Sequence, residues 1–183
     1  MGPLQELAAD LASEERTLRR AVAQGTLRAK RVGSRRLRVD PGEREYLRRH
    51  WTLLSELRQA LRTERYVRLA VLYGSFARGD EDAGSDLDVL VSLTDDRGAS
   101  GFELASRLGS VAGRRVDIGD LARIEAQAPL LLDRVLDEGR VLVDRDGQWG
   151  RLRERRRSIR ARAHRAHRRQ MSTAASAIEE LIG

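Results

Sequence analysis

Residues 67–91 constrain what this chain can fold into more than any other stretch. Val67 to Tyr73 is a short apolar run stopped by Gly74-Ser75, the pattern of a buried strand. Leu87, Val89 and Val91 then alternate with Asp86, Asp88 and Leu90, so a second strand opens with two carboxylates on one face. Residues i and i+2 of a strand point the same way, which brings Asp86 and Asp88 within reach of one cation. Two like charges so close repel, and a fold tolerates them only with a strong counter-charge. Hard carboxylate oxygens suit Mg²⁺ shared with the phosphates of a substrate. Gly74 lets backbone approach a ligand, and Ser75, opening a short helix, offers a hydroxyl and amides to a phosphate. The plainer alternative has Asp86 and Asp88 as turn residues after Ala83-Gly84, with Gly74-Ser75 an ordinary loop.

Gly74-Ser75, ten intervening residues and Asp86-Leu87-Asp88 together resemble the core motif of the DNA polymerase β-type nucleotidyltransferases. The fuller strings, Gly74-Ser-Phe-Ala-Arg-Gly79 and Ser85-Asp-Leu-Asp88, are most similar to the minimal nucleotidyltransferases, among them antitoxins that adenylylate a partner toxin. The resemblance covers about residues 52 to 144. It implies an α/β (α+β) fold with a small mixed sheet. It also implies Mg²⁺-dependent transfer of a nucleoside monophosphate, AMP from ATP, to a hydroxyl acceptor. Asp86 and Asp88 match the metal-binding catalytic pair. Asp117, in the strand-like run Arg115-Val-Asp-Ile118, matches the third carboxylate, which completes a second metal site or takes the acceptor's proton. Gly74 and Ser75 match the phosphate-binding residues, while Arg78 falls either on the triphosphate or against Asp80.

The rest of the chain sets the surroundings of that motif. At 183 residues, 40% hydrophobic and 4% aromatic, it packs an aliphatic core in one medium domain or two small ones. It has no cysteine, hence no disulfide or thiolate chemistry. No apolar run is long enough for a membrane span, and the first residues lack the basic-then-apolar order of a secretory signal. A cytoplasmic enzyme without membrane contact is the expectation. Of 35 basic residues only Lys30 is lysine. GC-rich codons alone produce that bias, so where the arginines lie says more than the net charge of +7. They concentrate in residues 16–49 and 151–169, flanking an acidic centre.

Residues 3–24 read as two helices, with Leu4, Leu7, Ala8 and Leu11 on one face of the first. Ser13 is the expected cap of the second, Leu18 and Val22 face inward, and Gly25 closes it. Leu27–Val32 and Arg35–Val39 alternate as a basic hairpin around Gly33-Ser34. Asp40-Pro41-Gly42-Glu43 opens a further helix in the manner of a capping box. Helix, turn, helix, basic wing and helix resemble the small winged helix-turn-helix of excisionase and MerR-type regulators. That resemblance implies duplex-DNA contacts from Arg16, Arg19 and Arg20 on the second helix and from Arg35 and Arg36 on the wing. So short a reader needs a homodimer or tandem sites. The alternative is a helical adaptor with solvated arginines.

A long amphipathic helix follows to about Arg65, carrying Tyr46, Leu47, Trp51, Leu54, Leu57 and Leu61, with a break expected near His50. His50 itself reads as packed or solvent-facing, not as a metal ligand. Beyond the motif strands, a loop runs from Gly98 to Gly101. Phe102, Leu104, Ala105 and Leu108 then mark a helix. Pro129–Gly139 is a helix, Val141–Val143 a closing strand, and everything from Trp149 one long helix whose apolar positions continue to Ala174, Ile178 and Leu181. Its arginines lie on a polyanion or on the solvated face of an interdomain or dimer helix. The expected division is 1–50 winged helix-turn-helix, 51–146 nucleotidyltransferase and 147–183 C-terminal helix.

Two other functions compete. One is a DNA-binding transcription regulator whose nucleotidyltransferase domain only senses nucleotide. The other is transfer to a small molecule, as in the similar aminoglycoside nucleotidyltransferases.

Overall fold

The computed structural model describes residues 3–33, 36–94 and 101–182, with side chains of the last helix as far as residue 168 and at Met171. Ser34 and Arg35 of the expected wing, Gly98 of the expected loop, and the side chains of Ala174, Ile178 and Leu181 lie outside the described residues. The elements run α1 (Pro3–Asp10), α2 (Glu15–Gln24), β1 (Lys30–Val32), β2 (Arg36–Arg38), α3 (Pro41–Thr63), β3 (Val67–Tyr73), α4 (Gly74–Arg78) and β4 (Leu87–Leu93). Then come α5 (Gly101–Ala112), β5 (Val116–Asp120), α6 (Leu121–Gln127), α7 (Pro129–Glu138), β6 (Arg140–Asp144), α8 (Gln148–Glu154) and α9 (Arg156–Ile182). Among the described residues no helix is long and apolar enough to cross a membrane.

The four larger strands form one mixed sheet in the order β5-β4-β3-β6. β3 lies antiparallel to β4 and β6, while β4 and β5 run parallel, joined by the α5 crossover. The alternation legible in the sequence sorts side chains to two faces. Ala70, Leu72, Leu87, Val89 and Val91 face a core shared with α1–α3 and α5. Leu69, Val71, Leu90 and Val141 face a second core beneath α6–α9. The first core runs without interruption from Leu4 to Val143, and α3 passes straight through residues 50 and 51.

Several local expectations change. Glu14, not Ser13, precedes α2, without a side-chain cap, and Ala21 is fully buried where Val22 is only half-buried. The hairpin strands shrink to three residues each. Glu43 is no capping-box carboxylate: it turns inward to Arg140, and Asp40 makes no cap bond because it pairs with Lys30 at 2.9 Å. α3 is unbroken at His50, which is buried against the Tyr46 ring, its Nε2 3.2 Å from Glu81 Oε1. Burial lowers the His50 pKa and Glu81 opposes it.

Phe102 points outward, 83% exposed, because Leu104 and Leu108 are the positions of α5 that meet the sheet. α6 has no counterpart in the sequence reading, and its start is capped by Asp120, which accepts the Arg123 N–H at 2.8 Å. The C-terminal segment is two helices divided at Arg155. α9 lies along α7, with Arg156 and Arg160 on Asp133 and Asp137 and with Arg162 on Glu125, so these arginines serve an intramolecular contact.

Candidate active site

The site forms where β3 ends and β4 begins. Tyr73 pairs with Asp88 across the antiparallel ladder, and Asp88 pairs with Asp117 across the parallel one. Adjacent strands lie about 5 Å apart, so three chemistry-bearing positions stand in one row at the sheet end. Asp86 precedes β4 in a loop that Asp82 fixes: its Oδ1 accepts the Gly84 N–H and the Ser85 hydroxyl, each at 2.9 Å. Arg114 steadies the same loop from β5's side, donating to the Ser85 carbonyl at 3.1 Å and lying over the Phe76 ring.

Gly74 sits in the left-handed region at φ +74, and a Cβ there would fall 2.2 Å from Asp88 Oδ2. The Asp88 carboxylate therefore rests directly on the backbone of the turn. α4 begins at this glycine, so Ser75 stands two residues beyond Tyr73 of the row. Arg78, at the end of α4, donates from Nη1 to Glu138 Oε2 at 2.8 Å and from Nε to Asp80 Oδ2 at 3.0 Å. Of the two partners open to Arg78 in the sequence, Asp80 is engaged. Glu138 was not foreseen: its Oε1 also accepts the Gly74 N–H at 2.9 Å.

The electrostatics are those of crowded carboxylates. Burial raises the Asp88 carboxyl above its ordinary value, and Asp117, Asp86 and Glu138 raise it further against Arg78. Burial, with Asp88, Asp117 and Glu138 adding to it, pushes the Tyr73 phenol up to about 12. One guanidinium answers the outer pair: Arg115 reaches Asp117 Oδ1 at 3.1 Å and Asp86 Oδ2 at 3.4 Å.

Among the described residues no group of three or more His, Cys, Asp or Glu is already gathered as a metal centre. The donor set nonetheless fits a hard divalent cation. Asp86, Asp88 and Asp117 are all oxygen donors, their mutual repulsion calls for positive charge, and the cation between two of them is an exposed arginine that an ion can replace.

Beside Asp117, α5 and β5 enclose a groove of about 650 Å³ lined by Phe102, Ala105, Gly109, Val116 and Ile118, with Arg115 at its charged end. Such a volume is in the usual range for a small ligand. The sequence-expected DNA residues lie far from this row in the chain. Arg16, Arg19 and Arg20 are exposed on α2, with Arg19 bonded to Glu15 at 2.7 Å, and Arg36 is exposed on β2.

No curated protein matches the chain. Among solved structures, a toxin-antitoxin crystal structure with AMP-PNP is similar at 20% identity over 71% of this chain and 98% of that chain, with a TM-score of 0.49. A tri-AMPylated Shewanella oneidensis HEPN toxin in complex with MNT antitoxin is similar at 18% identity over 73% and 99%, with a TM-score of 0.47. The assignment rests instead on the family model described as polymerase beta, nucleotidyltransferase, which matches residues 55–148 and so takes in β3, β4, β5 and the whole carboxylate row. The chain belongs to the polymerase β nucleotidyltransferase family and is a nucleotidyltransferase.

Proposed function

We propose that the protein transfers AMP from ATP to a hydroxyl of a partner protein, using Mg²⁺ held by Asp86 and Asp88, with Asp117 as the third carboxylate. The observation that carries this reading is the Asp88 carboxylate, seated on the Gly74 turn in register with Asp117 and raised by burial and then by its acidic neighbours. Nucleotidyltransferases of this fold generally use a divalent metal. Such an ion, when bound, neutralises the triphosphate and lowers the pKa of the attacking hydroxyl. The Ser75 hydroxyl and the amides following Gly74 bind the β and γ phosphates, and Arg78 adds charge beside them. The acceptor oxygen bonds to the α-phosphorus, the bond to pyrophosphate breaks, and the acceptor's proton passes to Asp117. The groove beside Asp117 offers Phe102, Ala105, Val116 and Ile118 to an acceptor with an apolar body.

Incubation with α-labelled ATP, Mg²⁺ and the product of the neighbouring gene tests the reading, with an aminoglycoside panel as the control. Label on the protein supports it; label only on the drug, or on nothing, defeats the protein acceptor.

Gly74→Ala tests the turn. A left-handed alanine costs about 1–2 kcal/mol, and its Cβ also displaces Asp88. The melting temperature should fall by roughly 2–8 °C while transfer falls by far more than that loss explains, at least about ten-fold. Equal transfer by this variant would make Gly74-Ser75 an ordinary turn.

We also propose that residues 1–50 read duplex DNA, residues 51–146 carry catalysis, and 147–183 form the C-terminal helical layer, with α3 shared between the first two. Support comes from the exposed arginines of α2 and the exposed short hairpin. Base contacts belong to α2 and phosphate contacts to the hairpin, and a homodimer supplies the second half-site. In full-length protein, Arg19→Ala should relax sequence preference, while Arg36→Ala should weaken all sequences alike. Affinity should fall with salt at a slope of roughly −0.9 per phosphate contact. Gel shifts comparing the protein's own promoter with random duplex at about 150 mM salt decide it. Equal, weak binding to both removes DNA reading from the function.

A further inference from the structure

The phosphate turn is braced by a carboxylate from a distant part of the chain. Glu138, the last residue of α7, bonds the Gly74 N–H and Arg78 at once, through its two different oxygens. Its side chain is only 17% exposed. Its own carbonyl accepts from the Arg28 guanidinium, which comes from the loop before β1. The next residue leaves no freedom to withdraw. A Cβ on Gly139 would lie 2.5 Å from the Val135 carbonyl and 2.7 Å from Val71 Cγ1, so the backbone at this point is wedged between α7 and the sheet.

A carboxylate on so fixed a backbone holds whatever it bonds. Here that is the first amide of the turn and the cation at the end of α4. We propose that Glu138 is a positioning residue of the transfer reaction. It sets the left-handed turn at Gly74, aims Arg78 at the phosphates, and leaves Ser75 as the first group of the turn free to meet them. The Gly74 N–H itself is occupied by this brace. This inference rests on the proposed function, because it gives Glu138 its role through the triphosphate site.

Two other roles make different predictions. If Glu138 occupied the phosphates' own place, its removal would tighten triphosphate binding. If it only supported the fold, its removal would lower stability and leave binding by the folded protein unchanged. The test measures calorimetric binding of the non-hydrolysable triphosphate AMP-PNP with Mg²⁺ to full-length wild type, Glu138→Ala and Glu138→Gln, well below each melting temperature.

Losing the charged hydrogen bonds of a carboxylate weakens what depends on them by about ten- to a hundred-fold. Glu138→Ala should bind within that range below wild type. Glu138→Gln, which keeps an oxygen for the Gly74 N–H but no charge for Arg78, should fall between the two. Affinity equal to wild type or tighter in either folded variant overturns the positioning role while the proposed function stands. If Glu138→Ala does not fold, Glu138→Gln alone decides on the same criterion. A wild type that binds no triphosphate defeats the proposed function and this inference with it.

Discussion

An Asp88→Asn protein should lose nucleotide transfer by at least about a thousand-fold, yet melt no lower than wild type when metal is absent. The two effects have one cause. Asp88 is held among Asp117, Asp86 and Glu138 in a partly buried position, and its carboxyl is raised above the ordinary aspartate value. A cation that binds there stabilises transition-state charge by several kcal/mol, and each 1.36 kcal/mol is a factor of ten in rate. Without the cation the same charge is a burden. A carboxyl whose folded pKa is raised costs stability once the pH exceeds the ordinary value, and the full cost is present above the raised one. As pH falls through the raised value the folded carboxyl takes up its proton first and the cost shrinks; below the ordinary aspartate value both folded and unfolded states are protonated and the cost is gone. The asparagine variant should therefore gain most at neutral pH and nothing at acid pH. Melting curves without metal across that range, beside the transfer assay, check both halves. Wild-type transfer by the variant in Mg²⁺ would remove Asp88 from the metal site, and a neutral-pH melting point well below wild type would show that the charge is compensated.

The sequence made the row's two members on β3 and β4 readable because strand alternation is local: Val67–Tyr73 and Leu87–Val91 declare their faces within a few residues. Asp117 was reachable as a strand residue, but its register opposite Asp88 depends on the α5 crossover delivering β5 in parallel, which no local pattern encodes. Glu138 was hidden for a related reason. At the end of a Leu-rich helix it reads as a solvated residue, and only the packing of α7 behind β3 carries it to Gly74, 64 residues away. Glu43 misled outright. Three residues after Asp40 it satisfies the spacing of a capping box, but the tertiary fold offers it a buried guanidinium, a stronger partner than a helix-end amide. α6 was missed because seven residues carry too little periodicity, and its one local signal, the Asp120 cap, sits on the last residue of β5 with no loop to announce a new helix. Phe102 marks the α5 helix in the sequence, but its hydrophobicity does not say which way it faces. The rotation of α5 fixed by Leu104 and Leu108 leaves it outside, at the rim of the groove beside Asp117.

Glu43→Ala should destabilise the protein by about 3–5 kcal/mol, the usual result of stranding one member of a buried ion pair. Arg140 is 1% exposed and donates to both Glu43 oxygens, at 2.6 and 2.9 Å. Its remaining donors go to the Ala77 carbonyl at 2.8 Å and the Thr26 carbonyl at 3.3 Å, and its guanidinium lies 3.5 Å over the Tyr46 ring. Removing Glu43 leaves that charge without a counter-ion in a site that water does not reach. It also frees the Arg28 N–H, which Glu43 accepts at 3.0 Å. For a chain of this length the loss corresponds to roughly 6–20 °C in melting temperature. The pair as a whole is worth less than its breakage, because burying both charges was itself costly. A Glu43→Leu, Arg140→Met double variant should therefore recover much of the loss, with a double-mutant cycle giving a large coupling. Chemical denaturation of the two single variants and the double variant measures this. Additive losses would show that Glu43 and Arg140 act separately. The pair also joins α3 to β6 and, through Ala77, to α4, so α3 and the helix that follows the Gly74 turn share one buried strut. A recovered double variant that melts near wild type yet transfers poorly would locate part of the active site's precision in that strut; one that also transfers normally would confine the strut's role to stability.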